Sequence, residues 1–313
     1  MKEYIKHDPW SIIEEGFDPS LNRISESIFS IGNGMFGGRA NFEEQYSGDT
    51  LQGNYVAGVY YPDKTRVGWW KNGYPEYFAK VLNAANWIGI NIAFDGEPLD
   101  LHTAEVSAFR RELNMQKGYL QRSFTAKLPS GKVVTVEATR FASLARNRVG
   151  AIAYRVTPVN FSGKATVTPY VDVDVVNADS NYDEQFWLEQ EQAAKPGLAH
   201  VLASTKKTDF WVATAMQFHV DGGWQPEARV PATRSKYAEI AESSPVTEGE
   251  AFTVYKYAAN VSSLNFEKDA LVATAATHVA EALKAGFDTL LKEQADKAIA
   301  EAEIRRKRPK TGR

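Results

Sequence analysis

No cysteine occurs among the 313 residues. Disulfides, thiolate nucleophiles and cysteine-held zinc or iron–sulfur sites are therefore excluded. Long apolar runs are also missing, since nothing approaches the roughly 20 apolar residues that a bilayer-spanning helix needs. The first residues, MKEYIKHDPW, place charges where a signal peptide carries its apolar core. A soluble, cytoplasmic protein is the expectation. Nor is there an excess of charge: 36 Lys and Arg face 39 Asp and Glu, for a net charge of −3. That leaves no positive field to hold nucleic acid or an anionic membrane, so neither is expected as a partner. The five histidines (His7, His102, His200, His219 and His278) show no metal-binding spacing, and no metal site is expected.

What is present is a period of two. In WIGINIAFDGEPLDL the residues Ile88, Ile90 and Ile92 share one side, and Asp95-Gly96 suits the positive φ angles of a tight hairpin turn. A second hairpin reads through Phe124, Ala126 and Leu128, turns at Pro129-Ser130-Gly131, and returns through Val134, Val136 and Ala138. Further strands are expected over 151–156, 165–176, 198–204, 210–220 and 251–261, with 221–246 as a long loop. Many closely spaced strands without intervening helices predict antiparallel sheets, hence a mainly β sandwich. From Asp269 the spacing becomes helical: Val272, Ala276, Val279 and Leu283, a break at Gly286, then Phe287, Leu290, Leu291, Ala295 and Ala298. The expected organisation is a sandwich over 1–268, a helical segment over 269–304 and a basic tail over 305–313.

The block from Asn22 to Trp87 holds the densest glycine and aromatic clusters. GNGMFGG matches G-x-G-x-x-G at Gly32, Gly34 and Gly37, but no helical pattern follows and Ala57 stands where a dinucleotide site needs an acid. The glycines, with Gly38 and Arg39, read instead as a tight turn where backbones approach closely, with Arg39 free to pair with Glu43 or Glu44. Further on, VGWWKNGYPEYF sets Trp69, Trp70 and Tyr74 among Lys71 and Asn72. Flat rings stack on the apolar faces of sugars while amides and charges bond the hydroxyls, so this stretch suits a carbohydrate-facing or interface loop. The same rings would equally fill a sandwich interior. Proton exchange at a sugar ring would call on a histidine, with His102 and His219 as the strand-placed candidates. Glu43, Glu44, Asp172 and Asp174 are the acids weighed for glycosidic chemistry, and salt bridges or solvent are their simpler fate.

The combination ESIFSIGNGMFGGRANFEE and LQGNYVAGVYYPDKTRVGWWKNGYPEYFAKVLNAANW closely resembles the amino-terminal domain of glycoside hydrolase family 65, its maltose phosphorylases most of all. DGEPLDL, GYLQRSFTAKLPSGKVVTVEATRFAS and PYVDVDVVNAD fit the same pattern, with Val173 where a glycine is commoner. The resemblance covers about 1–291. It implies a galactose-mutarotase-like super-β-sandwich followed by a helical linker, an (α/α)6 barrel and a small β-domain. It also implies inverting phosphorolysis of maltose to β-glucose 1-phosphate and glucose, with inorganic phosphate as co-substrate and no cofactor. In that family the catalytic acid and the phosphate pocket belong to the barrel. After Gln294 the sequence departs from the family pattern, so the barrel is expected to be missing and no residue here is assigned a catalytic role. The expected partners are a catalytic barrel in cis or trans, a second copy in a homodimer, and glucose or maltose. A stand-alone carbohydrate-binding module is the alternative.

Overall fold

The computed structural model describes residues 4–64, 75–178 and 185–307. The chain begins with β1 (Ile5–His7), β2 (Ser11–Glu15) and helix α1 (Asn22–Ile28). Five short strands follow: β3 (Ile31–Gly32), β4 (Phe36–Gly38), β5 (Asn54–Val56), β6 (Tyr60–Lys64) and β7 (Tyr77–Val81). Next come β8 (Ile90–Phe94), β9 (Glu97–Pro98), β10 (Glu105–Asn114), β11 (Tyr119–Lys127), β12 (Val133–Ala142), β13 (Val149–Pro158) and β14 (Gly163–Asp172). The last strands are β15 (Trp187–Lys195), β16 (Leu198–Thr205), β17 (Trp211–Asp221), β18 (Arg229–Arg234), β19 (Tyr237–Val246) and β20 (Phe252–Ser262). Helices α2 (Leu271–Ala285) and α3 (Phe287–Lys307) close the described chain.

Ten strands form one sheet in the order β1-β2-β10-β11-β12-β13-β20-β17-β16-β15, and five form a second in the order β18-β19-β14-β8-β9. Every strand pairing among the described residues is antiparallel, both in hairpins such as β11–β12 and between strands far apart in sequence such as β13 and β20. The main core lies between the two sheets. Ile90, Phe94, Val167 and Ile240 of the small sheet meet Phe124, Val136, Ile152, Met216 and Val254 of the large one. The fold is the mainly β sandwich that the alternating pattern predicts, of the super-β-sandwich kind that the resemblance implies.

The large sheet is covered on its other face as well. Val149, Ala151, Tyr257, Ala259 and Val261 pack there against Leu271, Ala275, Val279 and Ala282 of α2 and Phe287 and Leu290 of α3. The buried helical positions repeat at three- and four-residue steps, which lays one stripe on the sheet. Gly286, at φ +82°, breaks the two helices apart in a conformation that costs glycine little. With helices on one side and strands on the other, β20 is buried at nearly every position and its period of two disappears from the sequence.

Both expected hairpins are present. Asp95 (φ +51°) and Gly96 (φ +85°) form the turn joining β8 to β9, and Phe124 pairs with Val136 across β11 and β12. The segment 221–246 is a correction, because it carries β18 and β19 rather than a long loop. Its inward positions are Ala238, Ile240, Glu242 and Ser244, all buried, so half the apolar signal is replaced by polar groups. Glu242 is made tolerable there by Arg229 and the Trp224 indole, and Ser244 by the Gln225 amide. The strand expected over 165–176 ends at Asp172. Strands β10 and β15 were hidden by polar sequences, EVSAFRRELN and WLEQEQAAK.

Candidate functional site

The glycine cluster makes a hairpin. Gly32 pairs with Gly37 across β3 and β4, and a Cβ on Gly37 would sit 2.8 Å from the Ile31 carbonyl oxygen. Such a contact is forbidden to a real side chain, so the residue must be glycine for the strands to close. Gly34 lies in the turn at φ +85° with open space around it. Asn33 caps the turn by accepting from the amides of Met35 and Phe36 through Oδ1. Its Nδ2 donates to the carbonyls of Ser143 and Asn147, fastening the hairpin to the β12–β13 connection. Gly38, on β4, faces Asn54, whose Oδ1 would stand 2.7 Å from an added Cβ.

Behind the hairpin runs a set of buried charges. Arg122 and Arg140 occupy inward positions of β11 and β12, flanked along their strands by the buried Phe124 and Ala138. Arg122 donates to both oxygens of Glu44 at 2.5 Å and to Glu43 at 2.6 Å, while Arg140 reaches Glu43 at 2.7 Å. The Tyr154 hydroxyl adds a bond to Glu44 at 2.9 Å. Burial alone would raise the Glu43 carboxyl, but the Arg140 and Arg122 guanidiniums overcome it and hold the group below the ordinary glutamate value. Burial in the same cluster, next to the Glu44 charge, pushes the Tyr154 phenol well above its usual value. A neighbouring arginine is less well served. Arg111 has one carboxylate, Glu14 at 3.2 Å, and lies 5.2–5.7 Å from the ring centres of Phe29, Phe42 and Phe109. Burial brings its guanidinium down to about 10 and raises the Glu14 carboxyl.

A hollow of about 260 Å³ opens beside β5 and the end of β7, lined by Leu51, Gln52, Tyr55, Val81, Asn83 and Asn177 among others. Asn83 is its hub and is buried. Its Oδ1 accepts from the Asn54 amide at 2.8 Å, and its Nδ2 hydrogens are shared among Gln52 Oε1, the Gln52 carbonyl and the Val176 carbonyl. Its backbone amide donates to Asn177 Oδ1, and its carbonyl accepts the Trp187 indole at 2.7 Å. The Nε2 of Gln52 is buried with no hydrogen-bond partner. The described residues that line the hollow are uncharged, and their amides are largely engaged with one another.

The residues picked from the sequence fall in several places. Trp69, Trp70, Lys71, Asn72 and Tyr74 lie outside the described residues. Of the same stretch, Tyr77 and Phe78 stand on β7 as exposed rings. Gly32, Gly34, Gly37 and Gly38 gather in the hairpin. Arg39 pairs with neither Glu43 nor Glu44: its Nη2 donates to the Arg23 carbonyl and lies 3.8 Å from Glu26. The two glutamates are instead taken by arginines about 80 to 100 positions away in sequence, which no local spacing could reveal. His102 stands in a turn, not on a strand, and His200 is on β16. His219, on β17, stacks on Tyr255 and Tyr257 on the helix-covered side, with Asp221 3.9 Å away. Among the described residues, no three His, Asp or Glu side chains are grouped as a metal site. No helix there is long and apolar enough to cross a membrane.

The model of the glycosyl hydrolase family 65 N-terminal domain matches residues 12–299. The chain is 38% identical over 301 residues to maltose phosphorylase of Bacillus subtilis (strain 168), covering 93% of this chain and 38% of that protein. It is 29% identical over 305 residues to the α,α-trehalose phosphorylase of Thermoanaerobacter brockii, covering 92% of this chain and 38% of that protein. A solved structure of a kojibiose-phosphorylase-like protein from the human microbiome superposes with a TM-score of 0.82 at 22% identity, over 94% of this chain and 38% of that one. The chain thus spans just over a third of the length of these relatives.

Proposed function

Because the chain belongs to the glycosyl hydrolase family 65 N-terminal domain family, we propose that it is the non-catalytic sandwich of a maltose-phosphorylase-like enzyme. It scaffolds a catalytic barrel, in cis or in trans, and contributes to a homodimer in the cytoplasm. The barrel performs inverting phosphorolysis of maltose, with inorganic phosphate attacking and β-glucose 1-phosphate and glucose leaving. The observation that carries this reading is the state of the glutamates weighed for glycosidic chemistry. Glu43 and Glu44 are buried and saturated by Arg122, Arg140 and Tyr154. A general acid needs a carboxyl that holds its proton near neutral pH and reaches substrate, and the guanidiniums around Glu43 act in the opposite direction. Asp172 and Asp174 are bound to the β14 end and its neighbours Arg234 and Lys236. Two carboxylates do share a hollow on the open face of the large sheet, Glu112 and Glu137, but Arg110 holds the first and the second is 72% exposed.

The purified chain, given maltose and inorganic phosphate, is expected to release no β-glucose 1-phosphate above a protein-free blank. Turnover that persists through further purification overturns the reading. Separately expressed barrel from a relative is expected to co-elute with the chain on size exclusion. The alternative of a stand-alone carbohydrate-binding module is favoured by one observation, the hollow beside Asn83, whose described lining residues are uncharged.

A further inference from the structure

We propose that the outward face of β10–β13, beside the part of the large sheet that α2 and α3 cover, is where a second copy of this chain docks, face to face about a two-fold axis. The proposal rests on the homodimer of the reading above and adds the surface that forms it. The strand registers set one row of side chains across five strands: Glu15 of β2 beside Arg110 of β10, then Ser123 of β11, Glu137 of β12 and Arg155 of β13. Their chain neighbours Glu14, Arg111, Arg122, Ala138 and Val156 are buried in the sandwich, so the row points outward. Its charges run minus, plus, neutral, minus, plus. Reversed, they run plus, minus, neutral, plus, minus, so a reversed copy laid over the row meets an opposite charge at every charged position.

An axis lying in the interface along β11, past Ser123, produces that reversal. It sets Arg110 opposite Glu137 of the second copy and Glu15 opposite its Arg155. The row has room for these contacts: the Glu137 side chain is 72% exposed with Arg155 3.9 Å away, and Arg110, though paired with Glu15 and Glu112, is 40% exposed. Glu15 also pairs with Lys6 and keeps 45% of its side chain in solvent. Short side chains keep the rest of the face flat. Ser107, Thr125, Thr135 and Thr157 form the next outward row, which lets two sheets approach to the roughly 10 Å of face-to-face packing. Lys127 stands near the axis and would face its own copy, and it brings a counter-charge in Glu105 at 3.2 Å. Five strands, each followed from the level of Gln121 to that of Lys127, span about 24 by 24 Å, a flat footprint of about 600 Å². A standard interface takes roughly 800 Å² per partner, so the expected dimer is a weak one, with a dissociation constant of about 10 µM.

The test is sedimentation velocity of the intact chain at about 1 to 100 µM, a range that brackets the expected constant. The wild type is expected to pass from monomer to dimer across it. Arg110→Glu sets a carboxylate against Glu137 of the second copy, and Glu137→Arg sets two cations together, so each variant alone is expected to stay monomeric throughout. An equal mixture of the two variants is expected to regain the dimer, because the mixed pair has one contact swapped and the other native. A chain carrying both changes swaps both contacts and is expected to dimerise as the wild type does. Both positions are exposed, so every variant is expected to melt within a few degrees of the wild type. A wild type that stays monomeric overturns the proposal together with the homodimer it rests on. A dimer that either single variant leaves intact, or folded variants that stay monomeric when mixed, overturns this face and leaves the homodimer standing.

Discussion

Arg122 grips Glu44 with both terminal nitrogens, each at 2.5 Å, and one of those nitrogens also reaches Glu43. The three residues tie the segment after the glycine hairpin to the inner face of β11. Since the cluster is out of water, removing one partner leaves an uncompensated charge. Arg122→Met is expected to lower stability by about 3 to 5 kcal/mol. The double change Arg122→Met with Glu44→Leu is expected to recover part of that loss. Urea denaturation of the three proteins checks the ordering, and a double variant less stable than the single one would contradict it.

The hairpin glycines separate two physical reasons for the same residue. Gly37→Ala drives a Cβ to 2.8 Å from the Ile31 carbonyl, so the β3–β4 pair must open. Gly34→Ala meets no atom within 4 Å but keeps a positive φ, costing about 1 to 2 kcal/mol. Gly34→Asn is expected to lose less than Gly34→Ala, because asparagine tolerates that region, whereas Gly37→Asn is expected to lose at least as much as Gly37→Ala. Thermal melts of the four variants decide it.

Lys256 is fully buried on β20, and its Nζ donates to the carbonyls of Gly89 at 2.8 Å and Tyr170 at 2.6 Å. Burial pushes its ammonium well below the ordinary lysine value. The folded state therefore binds fewer protons than the unfolded chain between that depressed value and about 10.5, so this group adds stability as pH rises through the window. Lys256→Met is expected to flatten the rise and to gain most at neutral pH. Urea midpoints at about pH 7 and about pH 9 test this below the range where tyrosines ionise in the unfolded chain. An unchanged slope in the variant would show that Lys256 does not set it.

Gln294 of α3 is 1% exposed, accepts from the Leu144 amide and donates to the Gly118 carbonyl, both at 2.7 Å. Its neighbour Glu293 takes Arg146 in a two-point pair. Gln294→Leu leaves two backbone groups without partners and is expected to cost about 1 to 3 kcal/mol. Hydrogen exchange should rise first in α3 and the 115–118 turn while the inter-sheet core stays protected.

Legibility followed where a residue's partner lies. Hairpins were readable because Asp95-Gly96 and Pro129-Ser130-Gly131 act through their own backbone, and α2 was readable because one stripe faces one surface. Strand β19 was not, since its buried Glu242 and Ser244 become acceptable only through Arg229 and Gln225, which the alternating pattern does not weigh. The arginine–glutamate cluster was hidden for the same reason: Glu43 and Glu44 look like a polar turn until Arg122 and Arg140 are brought over them. One signal was available, an arginine at an inward position between Leu120 and Phe124. Asn83 and Gln52 carried none, because an amide inside KVLNAANW or LQGNY looks like any other.

The two-sided burial of β13, β17 and β20 bears on where this molecule can be cut. Val149, Ala151, Tyr257 and Val261 form an oily wall that α2 and α3 shield from water. A chain stopped after Ser262 would keep every strand and still present that wall to solvent, inviting self-association rather than a smaller soluble sandwich. Though helical, α2 and α3 are as much a cover for the large sheet as the five-stranded layer opposite.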